Sequence, residues 1–290
     1  MQAMMNSTDI AFPNLGIYLK DVPQGIYIGE FFIAYYGMII AMGMMAGILL
    51  ASHMAKRISL DDDMIWDFAI YAIIFAIVGA RIYYVIFEWD QYKNNLLSIL
   101  NLRQGGLAIY GGVIAAFITL FIYCKIKKIK PLSLGDACVP GLVLGQIIGR
   151  WGNFFNREVF GEYTDNLFAM RLPIDAVRSR DITANLRAHI ASGTNYIQVH
   201  PTFLYEGGLN LLLLIFMCLY IKKRKFDGEV CLLYLGGYGI IRFFVEGIRT
   251  DQLKIGNTGI AVSQMLGIIL FVAALVTDVC VRIYMKKKEA

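Results

Sequence analysis

Seven apolar runs, each near the length needed to cross a bilayer, constrain this chain more than any other feature. They are Phe31–Ser52, Met64–Phe87, Leu107–Cys124, Leu132–Gly149, Phe203–Ile221, Val230–Val245 and Ile260–Arg282. A helix rises about 1.5 Å per residue, so about 20 largely apolar residues cover the hydrocarbon layer. The first run carries no charge, whereas the second holds Asp67 and Arg81 and the fourth holds Asp136 and Pro140. Glu206, Arg242 and Asp278 interrupt the last three. Mean hydropathy is +0.58 and 58% of residues are hydrophobic, against roughly 45–50% in ordinary globular domains. These runs predict an all-α polytopic membrane protein of about seven helices, forming a single domain over residues 1–290.

The distribution of basic residues orients those helices. Lys56 and Arg57 follow the first run, Lys125, Lys127, Lys128 and Lys130 the third, Lys222–Lys225 the fifth, and Lys286–Lys288 the last. All are alternate loops, and positive charge collects on the cytoplasmic side. The N-terminus is therefore expected outside and the C-terminus in the cytoplasm. This parity requires an odd number of spans and supports the weak fourth and sixth. The same placement accounts for the net charge of +5 without nucleic acid as a partner. Residues Met1–Glu30 lack a basic segment followed by a short apolar run and a cleavage site, so they do not read as a signal peptide. Cys124, Cys138, Cys218, Cys231 and Cys280 are scattered in or beside the runs with no metal-ligand or disulfide spacing, and no metal or cofactor is expected.

Two outer loops are long. Residues 88–103 join the second and third spans, and residues 151–199 form a small extracytoplasmic lobe, too short for a core of its own. No internal repeat of the kind common in transporters is visible.

The chemistry concentrates where the fourth run ends, in GRWGNFFNREVFGEY from Gly149 to Tyr163. Arg150, Asn153, Asn156, Arg157, Glu158 and Glu162 crowd the outer end of a membrane helix. Polar groups at that depth generally face a cavity. Tyr238, Arg242 and Glu246 follow one another at four-residue spacing in the sixth run, so they share one helix face, with Arg249 close to the same stripe. Arg242 and Glu246 can neutralise each other as a structural pair, or the carboxylate can aim the guanidinium at a ligand. A guanidinium grips phosphate through a planar fork. Two of them, Arg150 and Arg242, near the outer membrane surface point to a phospholipid head group. Asn153 and Asn156 suit its hydroxyls and phosphate oxygens, although Asn153 can also cap a helix.

Other signals remain open between site and scaffold. Tyr36, in Tyr35-Tyr36-Gly37, faces either the site or the interfacial aromatic belt. Gln104-Gly105-Gly106 and Gly111-Gly112 flank Ile109-Tyr110, and the glycines permit close approach of a ligand or of another helix. His200-Pro201 opens the fifth span ahead of Tyr205-Glu206, and Arg81 can serve the site or snorkel. Motifs for nucleotide-driven transport or for a Ser-His-Asp hydrolase are absent from the sequence.

Arg150 through Glu158 followed by Gly161 closely resembles the signature of the bacterial prolipoprotein diacylglyceryl transferases. Tyr35-Tyr36-Gly37, Gly79-Ala80-Arg81, the two glycine pairs, His200-Pro201 with Tyr205-Glu206, and Tyr238 through Arg249 follow in the family's order. The resemblance implies transfer of the diacylglyceryl group of phosphatidylglycerol to the lipobox cysteine thiol of a prolipoprotein, with release of glycerol phosphate. It implies residence in the bacterial cytoplasmic membrane, with phosphatidylglycerol and signal peptides of prolipoproteins as partners. Catalytic roles fall on Arg150, Arg242, Glu158, Glu246 and Tyr36. Phosphatidylglycerol binding falls on Arg150, Asn153, Asn156, Gly161, Tyr238 and Arg242. Tyr110, His200, Glu206, Arg81 and Arg249 are further candidates. Many family members carry His where this chain has Tyr110, and a phenol with a pKa near 10 is a poor base, so the thiol's proton acceptor is left open. Two other classes compete on the residues alone: a lipid or anion transporter, and an assembly protein whose polar residues only join helices.

Overall fold

The structure, a computed structural model, describes residues 4–102, 105–256 and 258–289. Among these, seven helices are long and apolar enough to cross a membrane. In chain order the helices are α1 (Tyr35–Arg57), α2 (Asp63–Phe87), the short α3 (Trp89–Tyr92), α4 (Ile109–Lys127), α5 (Pro131–Asn156), the short α6 (Ala184–Ala188), α7 (Thr202–Tyr220), α8 (Glu229–Ile248) and α9 (Val262–Glu289). The protein is a multi-pass membrane protein, as its apolar runs required. The two doubtful runs form α5 and α8, and α5 continues through Arg150 and Asn153 to Asn156.

The helices meet in pairs through glycine. A Cβ at Gly47 would stand 2.6 Å from the carbonyl oxygen of Gly141, tying α1 to α5. A Cβ at Gly79 would stand 2.7 Å from that of Gly111, between α2 and α4, and one at Gly239 2.6 Å from that of Gly267, between α8 and α9. In lipid no hydrophobic force drives helices together, so close backbone contact supplies the dispersion energy. Gly111 is thus packing material, which resolves one of the glycine alternatives.

At the end of α5 opposite the lysine-rich loops lies a lobe that departs from the all-α expectation. Strands β1 (Ile10–Phe12), β2 (Ile17–Leu19), β5 (Met170–Pro173) and β6 (Tyr196–Val199) form an antiparallel sheet in the order β2-β1-β5-β6. The N-terminal segment therefore belongs to the same body as residues 151–199. Its core gathers Ile10, Phe160, Leu172, Leu186, Ile197 and Val199 around Phe154 of α5 and Phe203 of α7. The lobe is too small to bury enough surface alone and completes its core with the helix ends. A second hairpin, β3 (Gly25–Ile28) with β4 (Phe31–Ala34), turns at Gly29 with φ +62°. It takes up the first four residues of the apolar run, so α1 starts at Tyr35.

Two buried charges fix the helices that carry the site. Asp136 on α5, fully buried, accepts from the backbone N–H of Gly228 at 2.8 Å and of Cys231 at 2.9 Å, and pairs with Arg224 at 2.7 Å. It caps the N-terminus of α8 and sets that helix against α5. Arg157, in the left-handed region at φ +53°, ends α5. Its guanidinium donates to the carbonyls of Thr8 and Val22, each at 2.6 Å, and so ties the N-terminal segment to the helix end.

Candidate functional site

A cavity of about 570 Å³ lies between α1, α2 and α5. Its walls are apolar, with Ile40, Met44, Ile48, Phe68, Ile73 and Leu142 among them, and the glycines at the α1–α5 crossing give it width. Polar groups stand at one end: Tyr36, Gln146, Arg150, Asn153 and Tyr238. Arg150 and Asn153 lie three apart on the last turns of α5, so they share a face, and the Arg150 guanidinium donates to the Asn153 side-chain Oδ1 at 3.3 Å. Gly152 makes room for Tyr36, since a Cβ there would stand 2.7 Å from the phenol ring.

Behind this end runs a continuous charged network. Glu206 of α7, only 1% exposed, accepts from Arg150 at 2.5 Å through Oε1 and from Arg242 at 3.2 Å through Oε2. Tyr238 donates to Oε1 of the same carboxylate at 3.4 Å. Arg242 also pairs with Glu246 one turn further along α8, and Arg249 lies 3.6 Å from Glu246 and 2.7 Å from Asp251. Three guanidiniums therefore face three carboxylates. Burial raises the Asp251 carboxyl, but the Arg249 guanidinium outweighs it and the net shift is downward.

The two arginines expected near a head group stand differently. Arg150 lines the cavity, whereas Arg242 stands behind it across Glu206. The self-neutralising Arg242–Glu246 pair exists, yet Arg242 bonds both glutamates, so the pair is one link of a longer chain. Glu206, one candidate among several in the sequence, is the carboxylate that joins α5, α7 and α8. Its centrality depends on three helices converging, which no spacing rule reports. Gln146 went unnoticed in the sequence, although a lone amide four residues before Arg150 in an apolar run is a usable signal.

The remaining residues divide into site and scaffold. Glu158 accepts from Asn153 and Asn156, each at 3.2 Å, and pairs with Arg178 of the lobe at 2.9 Å, which extends the polar end toward the lobe. Val159, a β-branched residue at φ +60°, bears backbone strain beside it, worth on the order of 1–3 kcal/mol. The Thr202 hydroxyl, donating to the Val159 carbonyl, helps to hold that turn. Gly161 does not line the cavity. Its N–H donates to the His200 carbonyl at 2.9 Å, and a Cβ would stand 2.8 Å from the Ile248 carbonyl oxygen, so its smallness serves a lobe-to-helix contact. His200 shares a 3.2 Å hydrogen bond with the Tyr205 hydroxyl, and burial lowers its pKa. Glu162 accepts from Thr183 and Asn185 within the lobe.

Arg81 neither serves the cavity nor snorkels. Buried, it donates to the carbonyls of Ser98, Ile99, Asn101, Gly105 and Gly106, at 2.7–3.1 Å, and so organises the loop between α2 and α4. Tyr110 is 54% exposed on the first turn of α4, whereas its neighbour Ile109 lines the cavity. Gln104 lies outside the described residues.

An apolar slot with guanidinium, amide and phenol groups at one end is fitted to an amphiphile with acyl chains and an anionic head. A family profile described as prolipoprotein diacylglyceryl transferase matches residues 23–280. A phosphatidylglycerol–prolipoprotein diacylglyceryl transferase of Finegoldia magna is 42% identical over 248 residues, covering 85% of this chain and 90% of the relative. One from Clostridium botulinum strain Hall is 41% identical over 249 residues, covering 86% and 93%. A third, numbered 1 in Clostridium perfringens strain 13, is 40% identical over 257 residues, covering 88% and 93%.

Proposed function

The chain belongs to the prolipoprotein diacylglyceryl transferase family, and from that membership we propose that it moves the diacylglyceryl group of phosphatidylglycerol onto the cysteine thiol of a prolipoprotein. This is the first step of lipoprotein maturation. The observation that carries the reading is Arg150 at the polar end of a cavity otherwise walled by aliphatic and aromatic side chains.

The acyl chains occupy the apolar slot between α1, α2 and α5, and the phosphate meets Arg150 and Asn153. The thiolate sulfur attacks the glycerol carbon that carries the phosphate ester. A carbon–sulfur bond forms, the carbon–oxygen bond breaks, and glycerol phosphate departs with the bonding electrons. Negative charge grows on the leaving oxygen, and fixed cationic donors stabilise it more than they stabilise the bound lipid. Arg150 is the group in contact. Arg242 and Glu206 hold it in place, because the Glu206 oxygens are taken up by guanidinium and phenol donors. Tyr36 and Tyr238 border the head group, and Glu158 with Asn156 keeps Asn153 oriented. Gly161 supports this arrangement from the lobe without touching lipid. The thiol's proton goes to a carboxylate, of which Glu158 is the one that continues the polar end of the cavity toward the lobe. Tyr110 is not assigned this task.

The lysine-rich loops lie in the cytoplasm of a bacterial plasma membrane, and the lobe faces outward, where a translocated signal peptide presents its cysteine. The test uses the full chain in vesicles containing phosphatidylglycerol, with a lipobox peptide. The expected product is a thioether-linked diacylglyceryl peptide plus glycerol phosphate. Arg150→Ala should remain inserted and lose about 10²–10³-fold in kcat, the usual loss for one electrostatic donor at a developing oxyanion. Retained activity removes Arg150 from the mechanism, and lipid movement without covalent product replaces the transferase reading with transport.

A further inference from the structure

Three helices converge below the arginines in clear tiers. On α5 the successive positions are Val143, Gln146 and Arg150; on α7, which runs the other way, Leu214, Asn210 and Glu206; on α8, Val230, Tyr234, Tyr238 and Arg242. Val143, Leu214 and Val230 pack into one apolar cluster. Arg150, Glu206 and Arg242 form the charged tier. Residues three or four apart on a helix lie above one another, so Gln146 and Asn210 each stand one turn below the charged tier, and Gln146 reaches Tyr234 of α8, two turns below Arg242.

Those two amides have unmatched polar groups. Gln146 donates to the Tyr234 hydroxyl at 2.9 Å, but its Oε1 atom, buried, has no partner among the described residues. Asn210 is completely buried, and neither its Oδ1 nor its Nδ2 has a partner among the described residues. Buried amides retain hydrogen-bonding partners because desolvating them otherwise opposes folding. A direct Asn210–Gln146 bond would use the donor and one acceptor and still leave Asn210 Oδ1 unmatched. A small ligand that both accepts and donates matches all three atoms, and water does so with the usual two to four partners.

We propose that Asn210 and Gln146 bind one ordered water a helical turn below the guanidiniums, and that Asn210 is thereby a positioning residue for the phosphate clamp. The water accepts from Asn210 Nδ2 and donates to Gln146 Oε1 and Asn210 Oδ1. It holds Gln146 against Tyr234, whose ring stacks on Tyr238 with centroids 5.5 Å apart. Tyr238 in turn donates to Glu206, which carries both arginines. This series of contacts thus converts a buried amide on α7 into orientation of the Arg150 donors. Its consequence for turnover rests on the transferase reading, whereas the water site itself does not.

Two measurements on the full-length protein in lipid separate those parts. High-resolution density should contain a peak about 2.7–3.2 Å from Asn210 Oδ1, Nδ2 and Gln146 Oε1. Its absence, or a direct contact between the two amides, overturns the site whatever the activity. In the vesicle assay, Asn210→Leu keeps the volume but removes the polar atoms. It should lower kcat about tenfold, or about 1.4 kcal/mol in barrier, with KM for phosphatidylglycerol within about twofold. Asn210→Ser, which retains a donor and an acceptor and admits a second water, should keep kcat within about threefold. Wild-type kcat in Asn210→Leu, with a higher melting temperature, overturns the positioning role. If Asn210→Leu does not insert, the density and an Asn210→Ser variant inactive despite folding decide it, the latter against the proposal. Wild-type protein that makes no thioether refutes the transferase reading and leaves the density result standing.

Discussion

Replacing Glu206 with Gln removes one negative charge from between two guanidiniums and alters the volume little. Glu206 is 1% exposed, with Arg150 at 2.5 Å and Arg242 at 3.2 Å on its two oxygens. A charge-assisted hydrogen bond contributes about 1.5–3 kcal/mol, and breaking a buried charged pair by changing one partner costs about 3–5 kcal/mol. Gln keeps one acceptor but turns N–H donors toward one guanidinium, so a stability loss near 3 kcal/mol is expected. The catalytic effect has a distinct signature. Positive charge left uncompensated still attracts phosphate, so KM for phosphatidylglycerol should stay level or fall. With the guanidiniums no longer aimed, kcat should drop about 10²-fold, corresponding to about 3 kcal/mol at 1.4 kcal/mol per decade. Initial rates of thioether formation at varied lipid density, beside a thermal unfolding curve in the same detergent, measure both. Glu206→Asp keeps the charge and should lie between the two. A Glu206→Gln protein that is destabilised yet turns over at the wild-type rate would refute the positioning argument. So would a raised KM at unchanged kcat, since Glu206 would then act through binding alone.

Other predictions follow from the scaffold. Gly47→Val pushes α1 from α5, because even a Cβ meets the Gly141 carbonyl at 2.6 Å; thermal unfolding should show a loss of about 1–3 kcal/mol, while Gly37→Ala, with nothing within 4 Å of its added Cβ, should be near neutral. Asp136→Ala uncaps α8 and leaves Arg224 with Asp227 and the Ser133 hydroxyl among the described residues, which should cost about 3–5 kcal/mol in unfolding and reduce activity from a distance of several helical turns. Burial lowers the His200 pKa, so the unfolded chain binds that proton first as pH falls. Its contribution to stability is complete above the ordinary value of about 6.5 and is lost below it, and His200→Gln should flatten the melting temperature between about pH 7 and pH 5.

Several features were legible along the chain because their causes are local. Crossing length and hydropathy depend on a continuous run, so the seven spans were readable to within a few residues, apart from the extra turns that carry α5 to Asn156 and α9 to Glu289. The stripe of Tyr238, Arg242 and Glu246 follows from four-residue helical spacing, and all three enter the charged network. The lobe's sheet was not legible. Its strands are three or four residues long, too short for a period of two to register, and β1 pairs with a strand some 160 positions away. Arg81 and Gly161 look like site residues in sequence because burial of charge and smallness serve backbone packing equally well. Only their neighbours, loop carbonyls in one case and the end of α8 in the other, distinguish the uses.

By itself, the sequence determined that this chain lives in a membrane, how many times it crosses, and which short stretches concentrate charge where charge is costly. Tertiary structure decided which of those charges act together. It brought Glu206 between Arg150 and Arg242, set Arg150 rather than Arg242 at the head of the apolar cavity, and left Asn210 buried one turn beneath. The reason is physical: hydropathy and helical period act within one segment, whereas a buried ion pair is defined by the convergence of several. Glycine contacts between helices and the Asp136 cap fix that convergence, and neither has a signature that a single stretch of sequence can display.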